Sequence, residues 1–335
     1  MTELNLLRNS ETKTFKACRQ KWWWAYHDEL TAKQDAVPLL FGTWVHAAME
    51  QWYIPGRKRG TPLDKTFEKI YTDYLYDGGD EIVVKVGRDT EGSEGERVDI
   101  LDLGLDMLRG YYAEYGDDEH YEVIAPELSF QSDVHHSKTG KYLFTAVGQI
   151  DATVRDHRSN RIGFLEHKTG ATLAPFGAPD ELDEQSGMYW TFGPAYLQQL
   201  GVLKKDELPD FLEFNRLKKS MGDTRPTNEE GLALNQNGSV SKRQPTPRFK
   251  RNRVYRSNTD RRQFLKRSKQ VMREMNLVRA GKLGHYKNPD RHCGYCEFKD
   301  ACEAEETGGD WKEILKMTTN KWDPYEDYGL DMKDD

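Results

Sequence analysis

The sequence predicts a sheet meander flanked by helices, of α/β or α+β class. Three observations carry this reading. Between Tyr121 and Lys168, β-branched and aromatic residues form strand-like runs separated by polar turns. Before Tyr121, apolar residues recur at helical spacing. After the sheet region comes a basic helical pattern, Asp260 to Arg279.

The elements follow in order. Ser10 is a candidate N-cap. After it Phe15, Cys18, Trp22 and Tyr26 form one helical stripe. Part of the run Trp22-Trp23-Trp24 must be core, because three adjacent positions cover most of a helix circumference. Leu39 to Tyr53 reads as a second helix, with Pro38 near its start and Pro55-Gly56 after its end. Residues 57–97 are charged and partly Gly-rich, giving a helix near Asp64–Leu75 and then a mobile connection. Val98 to Tyr115 is helical again. Tyr121–Phe130, Tyr142–Val154 and Arg161–Lys168 are strands. Glu181–Leu200 is a helix weakened by Gly187, Gly193 and Pro194. Phe211–Leu217 is a strand and Thr224–Thr246 a loop.

At 335 residues, the chain is long enough for about two domains or one large one. The organisation expected is a helical region over 1–120, a core over 121–220, a basic and cysteine-bearing segment over 221–305, and an acidic tail over 306–335. The longest charge-free apolar stretch, Ala36–Met49, is too short to span a bilayer. The first ten residues carry Glu3 and Arg8, unlike a secretory signal. Net charge is −7, which argues against a uniformly basic nucleic-acid coat but not against a local basic groove. Such a stretch exists: Lys242 to Arg273 holds thirteen Lys or Arg and one acid, Asp260. Lys242, Arg243, Arg248, Lys250, Arg251 and Arg253 are candidate phosphate contacts, with Phe249 and Tyr255 interleaved for base stacking. A solvated loop leading into a charged helix fits the same pattern. Arg216, Lys218 and Lys219 extend the same path.

The chemistry-bearing residues form a constellation. One strand ends in Gly148-Gln149-Ile150-Asp151, and the next carries Glu166-His167-Lys168. Residues two apart on a strand share a face, so Glu166 and Lys168 point the same way. Pairing of the two strands brings Asp151 beside Glu166. Adjacent carboxylates repel unless a cation lies between them, and hard oxygen ligands suit Mg²⁺ or Mn²⁺. A lysine beside such an ion positions a water or stabilises developing phosphate charge. Gly42-x3-His46-x3-Glu50 places His46 and Glu50 on one helical face. A core histidine is the bland alternative for His46. Gln185-x3-Tyr189 lies on one face of a later helix.

The four cysteines are Cys18, Cys293, Cys296 and Cys302. Four thiolates hold a structural Zn²⁺ or an iron–sulfur cluster, and the spacing does not choose between them. Either would tie together segments about 275 residues apart.

In this order the motifs resemble the PD-(D/E)xK nuclease superfamily, in its RecB-like iron–sulfur branch. CRISPR-associated four-cysteine exonucleases, phage exonucleases and AddB-type nuclease domains are similar. The resemblance spans residues 10 to 305. It departs at Arg19, where family members usually carry proline, and at Ile150, which stands for the proline of the family name. It implies an α/β, restriction-endonuclease-like core of mixed sheet flanked by helices. His46, Asp151, Glu166 and the His167 backbone carbonyl would ligate Mg²⁺ or Mn²⁺. Lys168 would orient the attacking water, Gln185 and Tyr189 would support the site, and Glu127 matches an accessory acid. The cysteines would bind a [4Fe–4S] cluster. The implied activity is exonucleolytic cleavage of DNA, often single-stranded and 5′→3′, in recombination, repair or phage DNA processing. The implied setting is the cytoplasm of a bacterium or a phage-infected host. A non-catalytic DNA-binding or adaptor protein with the same fold is the alternative. The chain has no G-x4-GK[ST] phosphate loop, so unwinding would need a helicase; a recombinase or single-strand-binding protein is a further expected partner.

Overall fold

The computed structural model describes residues 5–34, 36–90, 94–175, 179–205 and 207–326. The end of the acidic tail, from residue 327 on, lies outside the described residues.

The chain opens with β1 (Leu6–Leu7), α1 (Asn9–Ala17), α2 (Arg19–Trp22), a π-helical turn Trp23–His27 and β2 (Leu30–Ala32). Next come α3 (Val37–Trp52), α4 (Leu63–Tyr76), β3 (Val83–Val86), β4 (Glu96–Asp99) and α5 (Ile100–Tyr115). The central run is β5 (Tyr121–His135), β6 (Tyr142–Asp156), β7 (Arg161–Gly170), α6 (Glu184–Gln199) and β8 (Phe211–Lys218). The chain continues through β9 (Phe249–Val254), α7 (Asn258–Arg279), α8 (Lys299–Thr307), α9 (Trp311–Thr318) and β10 (Thr319–Lys321).

The six-stranded sheet is mixed: β7 and β8 run parallel, as do β1 and β6, and the remaining pairs are antiparallel. Alternation along β7 and β8 feeds two cores. Ile162, Phe164, Leu212 and Phe214 pack with α6 and α7. Leu165, Phe211 and Leu217 pack with α3, α4 and α5. A third cluster joins Trp24 and Ala25 to Phe298, Ala301 and Leu315.

Several elements differ from expectation. The helical stripe through Cys18 breaks there, because Cys18 is extended (φ −157°, ψ 115°). The first helix begins at Asn9 after Arg8, so Ser10 is inside it and not its cap. Two of the three tryptophans, Trp22 and Trp24, are core, while Trp23 is stacked between His27 and His285. The connection after α4 holds an antiparallel hairpin, β3 with β4, whose short strands carry too little apolar pattern to announce themselves. The basic segment contains β9, which completes the sheet beside β8. The helix Glu184–Gln199 survives its glycines because one of them is needed. A Cβ on Gly187 would lie 2.4 Å from the Phe264 ring, so glycine lets α7 pack close to α6.

Candidate active site

The register of β6 and β7 builds the site. Their ladder runs from Asp156↔Arg161 to Ala152↔Leu165 and stops. Asp151 and Glu166 are the next residues on each strand, at the point where the strands part. Farther along the same edge of β6, Thr145 and Ala146 pair with β1. The edge between is left to the site. On the opposite edge, Pro126↔Ala152 and Leu128↔Ile150 bracket Glu127 and Asp151, which form no ladder pair of their own. Glu127 has φ 37°, a left-handed conformation costly for a non-glycine residue. Such strain gathers where a side chain must be aimed.

Glu166 and Lys168 do share a face, and they form an ion pair. Lys168 Nζ also donates to Gln185 Oε1 at 2.5 Å, and Gln185 Nε2 donates to the Tyr189 hydroxyl at 2.6 Å. The Gln185-x3-Tyr189 face of α6 therefore holds the lysine from behind. From the other side of the sheet, α3 supplies His46, whose Nδ1 is 3.5 Å from Asp151 Oδ2. His46 is half-buried and lines the cleft, so it is not an ordinary core histidine. The His167 N–H donates to the same Asp151 oxygen at 2.6 Å. Glu50, one turn beyond His46, reaches Glu127.

The electrostatics separate these acids. Burial pushes the Asp151 carboxyl up, but His46 overrides this, helped by His167 and Lys168, and holds it at about 2. Burial and then Asp151 raise Glu166 to about 7, against the pull of Lys168. Burial, Glu50 and Asp151 raise Glu127 to about 7 as well. Burial lowers Lys168, but Glu166 and Asp151 more than restore it. One oxygen of Glu166, Oε2, is buried without a hydrogen-bond partner. An orphaned carboxylate oxygen beside a second acid is a place for a cation. The donor set of carboxylates and one imidazole fits a hard divalent ion. Among the described residues, no three His, Cys, Asp or Glu groups are close enough to hold a metal as they stand. Lys168 is paired with Glu166, and Asp151 faces His46 and accepts from the His167 amide.

A model of the PD-(D/E)XK nuclease superfamily matches residues 9–303. The chain belongs to this superfamily. The match is to the superfamily as a whole. Among solved structures, a Eubacterium rectale crystal structure named "Putative exonuclease" is similar to this nuclease at TM-score 0.44 and 10% identity, over 84% of each chain. A structure named SSO0001 is similar at TM-score 0.31 and 10% identity, over 88% of this chain and 85% of that one. No curated protein matches the chain.

Among the described residues no three of the four cysteines lie close enough to hold a metal, but all four face one cavity despite their separation in sequence. Cys18, Cys293, Cys296 and Cys302 all line one cavity of about 370 Å³, between the α1–α2 junction and the segment leading into α8. The break at Cys18 is what brings it there. Burial raises the thiols of Cys296 and Cys302.

The candidate phosphate contacts divide, and three need correction. Arg251 is not on a groove: it lies against Asp118 and the Tyr111 hydroxyl. Arg253 pairs with Glu213 and Asp156, and Arg248 with Asp106. Arg216, placed on the same path, is buried against Asp180. β9 turns Arg251 and Arg253 onto acids of the fold. Lys242, Arg243, Lys250 and Tyr255 are exposed. Sequence reading missed Asn215, Tyr111, Tyr53, Asp118 and the true role of Arg251, which together bind His167. Asn215 Nδ2 is 2.8 Å from His167 Nδ1 and 2.8 Å from the Tyr111 hydroxyl. Tyr53 stacks on the His167 ring at 5.4 Å and donates to Asp118 at 2.6 Å. No local pattern announces a network spread over five separate elements.

Among the described residues, no helix is long and apolar enough to cross a membrane.

Proposed function

We propose that this nuclease is a divalent-metal-dependent exonuclease that hydrolyses phosphodiester bonds from DNA ends, acting on single strands in the 5′→3′ direction. The observation that carries the reading is the buried, partnerless Glu166 Oε2 beside Asp151, with Lys168 held at the same point. His46, Asp151, Glu166 and the His167 carbonyl would hold Mg²⁺ or Mn²⁺, with Glu127 and Glu50 at its edge. When bound, the ion supplies Lewis-acid stabilisation of phosphate charge and a more acidic water. The chain's own groups do the rest. Lys168, kept cationic by the acids around it, orients a water and offsets charge developing on the scissile phosphate. Gln185 and Tyr189 fix where its ammonium points. Neutral His167, lowered to about 4 by burial, keeps its ring held by Asn215, which steadies the backbone at the site.

Cys18, Cys293, Cys296 and Cys302 would carry a [4Fe–4S] cluster, for which one shared cavity and four thiols are the support. Brown protein with broad visible absorbance after anaerobic purification is expected; colourless protein with stoichiometric zinc would replace iron by Zn²⁺. DNA with free ends is the partner, processed in recombination, repair or phage DNA metabolism beside a helicase, a recombinase or a single-strand-binding protein, in a cytoplasmic setting. The test is cleavage of end-labelled linear and circular DNA with Mg²⁺ or Mn²⁺, beside Lys168→Ala. Loss of linear strands with circles spared is expected. Nicked circles would make it an endonuclease, and binding without cleavage in any divalent ion would make it an adaptor.

A further inference from the structure

Two sets of cations differ in their partners. Arg216, Arg225, Arg248, Arg251 and Arg253 each pair with a carboxylate. Lys85, Lys218 and Lys219 form no ion pair among the described residues, and all three line one cleft of about 1100 Å³ that also contains His46 and Lys168. Lys219 is the telling case. Lys219 is partly exposed; its Nζ donates to the Pro38 carbonyl at 2.7 Å and lies 5.1 Å from the Phe41 ring centre. Burial lowers its pKa, and no carboxylate restores it. An accessible ammonium set beside a carbonyl and a ring face, with no carboxylate partner among the described residues, is a site for an anion.

The β3–β4 hairpin supplies the other cation. The hairpin is tied to the residues just after Lys219: the Asp89 N–H donates to the Met221 carbonyl at 2.9 Å, and the Met221 N–H to the Gly87 carbonyl at 3.0 Å. Thr90 adds a hydrogen bond to Asp223 at 2.6 Å. These bonds fix Lys85 in the same cleft as Lys218 and Lys219. Leu39, Val84 and Val86 line it too, giving apolar surface beside the charges. Alternation of unpaired cation and apolar wall suits a strand that offers phosphates on one edge and bases on the other.

We propose that this cleft is the track of the substrate strand, with Lys85, Lys218 and Lys219 holding successive phosphates of single-stranded DNA that leads to Lys168. The proposal rests on the nuclease reading above and specifies how its substrate lies. It moves the track away from the Lys242–Arg273 segment, whose helix α7 packs on α6, on the other side of the sheet.

The test is fluorescence anisotropy of a labelled oligodeoxythymidylate, without divalent ion, across a salt series. Proteins compared are wild type, Lys85→Gln, Lys85→Gln/Lys219→Gln and Lys266→Gln/Lys269→Gln. Counterion release is worth ~0.7 in salt slope per phosphate on single strands, so the Lys85/Lys219 pair should lower the slope by about 1.4. The same relation gives roughly 25-fold weaker binding at ~0.1 M salt. Lys85→Gln, on an exposed hairpin, should take half of that change with an unchanged melting temperature. An unaltered slope in the Lys85/Lys219 pair, or the loss appearing in the Lys266/Lys269 pair instead, overturns the proposal. A parallel cleavage assay separates the two readings. Wild type that cuts nothing in Mg²⁺ or Mn²⁺, while the slope change appears, removes the exonuclease and leaves the track.

Discussion

On one side of His167, Asp118 accepts two hydrogen bonds from Arg251 and one from Tyr53, while Arg251 also reaches Tyr111. On the other side, Asp151, Glu166 and Glu127 crowd together with one lysine and one histidine, and one oxygen of Glu166 has no partner. Both clusters are buried and polar. The first is neutralised by its own members, and Asp118 is held below the usual carboxylate range once Arg251 outweighs burial. The second carries an excess of negative charge and splits its acids between about 2 and about 7. The comparison teaches that burial alone does not mark a functional site. What marks it is a polar group left short of partners, whereas a cluster that satisfies itself serves position and stability.

Four changes test this contrast. Lys168→Ala should lower cleavage about 10²–10⁴-fold in a folded protein, the usual range for a positioned proton-handling group; cleavage at the wild-type rate would remove Lys168 from the chemistry. Arg251→Met should cost about 3–5 kcal/mol in urea unfolding, because it strands a buried Asp118. A loss under about 1 kcal/mol there would mean the network is surface-like. Glu166→Gln should move stability the other way. A carboxyl raised from 4.5 to about 7 by burial and then by Asp151 is costly to ionise, so neutralising it should add about 1–3 kcal/mol near neutral pH while abolishing cleavage. The pH dependence carries the sign. The folded pKa of Glu166 lies above its ordinary value, so its contribution is fully present below 4.5 and is lost as pH rises toward and through about 7. Asp151 is opposite: its contribution is present above 3.8 and is lost as pH falls toward about 2. Melting curves should therefore show Glu166→Gln gaining on wild type as pH rises from 4.5 through about 7, while Glu127 and His167 go on titrating in both proteins. The smallest change is Tyr53→Phe, which removes one hydrogen bond to Asp118 and should cost about 1 kcal/mol.

The reach of the sequence follows the same division. Asp151, Glu166 and Lys168 were legible because a strand period of two and a short turn fix their relation. His46 with Glu50, and Gln185 with Tyr189, were legible through the helical period. The resemblance joined these short motifs into one family, and the superfamily match over residues 9–303 agrees. The hairpin beside the cleft was not legible, since its strands are four residues each and half-exposed. Strand β9 was hidden by its own charge: FKRNRV reads as a basic loop until acids from Asp118, Asp156 and Glu213 are brought to it. Partners distant in sequence carry no periodic signal, so a guanidinium that balances the fold looks the same as one awaiting phosphate.

The pairing of early and late segments has a further consequence for how the molecule is made. Trp24 and Ala25 are packed by Phe298, Ala301 and Leu315, β2 pairs with β10, and buried Glu11 is reached by Arg279 and Tyr325. During synthesis these N-terminal residues emerge first and wait about 275 residues for their partners. At ~5–20 residues per second that is roughly 15–55 s, long enough for the central sheet to form before this lobe closes. The aromatic face around Trp24 is thus exposed on the ribosome for most of translation. It is the part of this nuclease with the strongest claim on a chaperone.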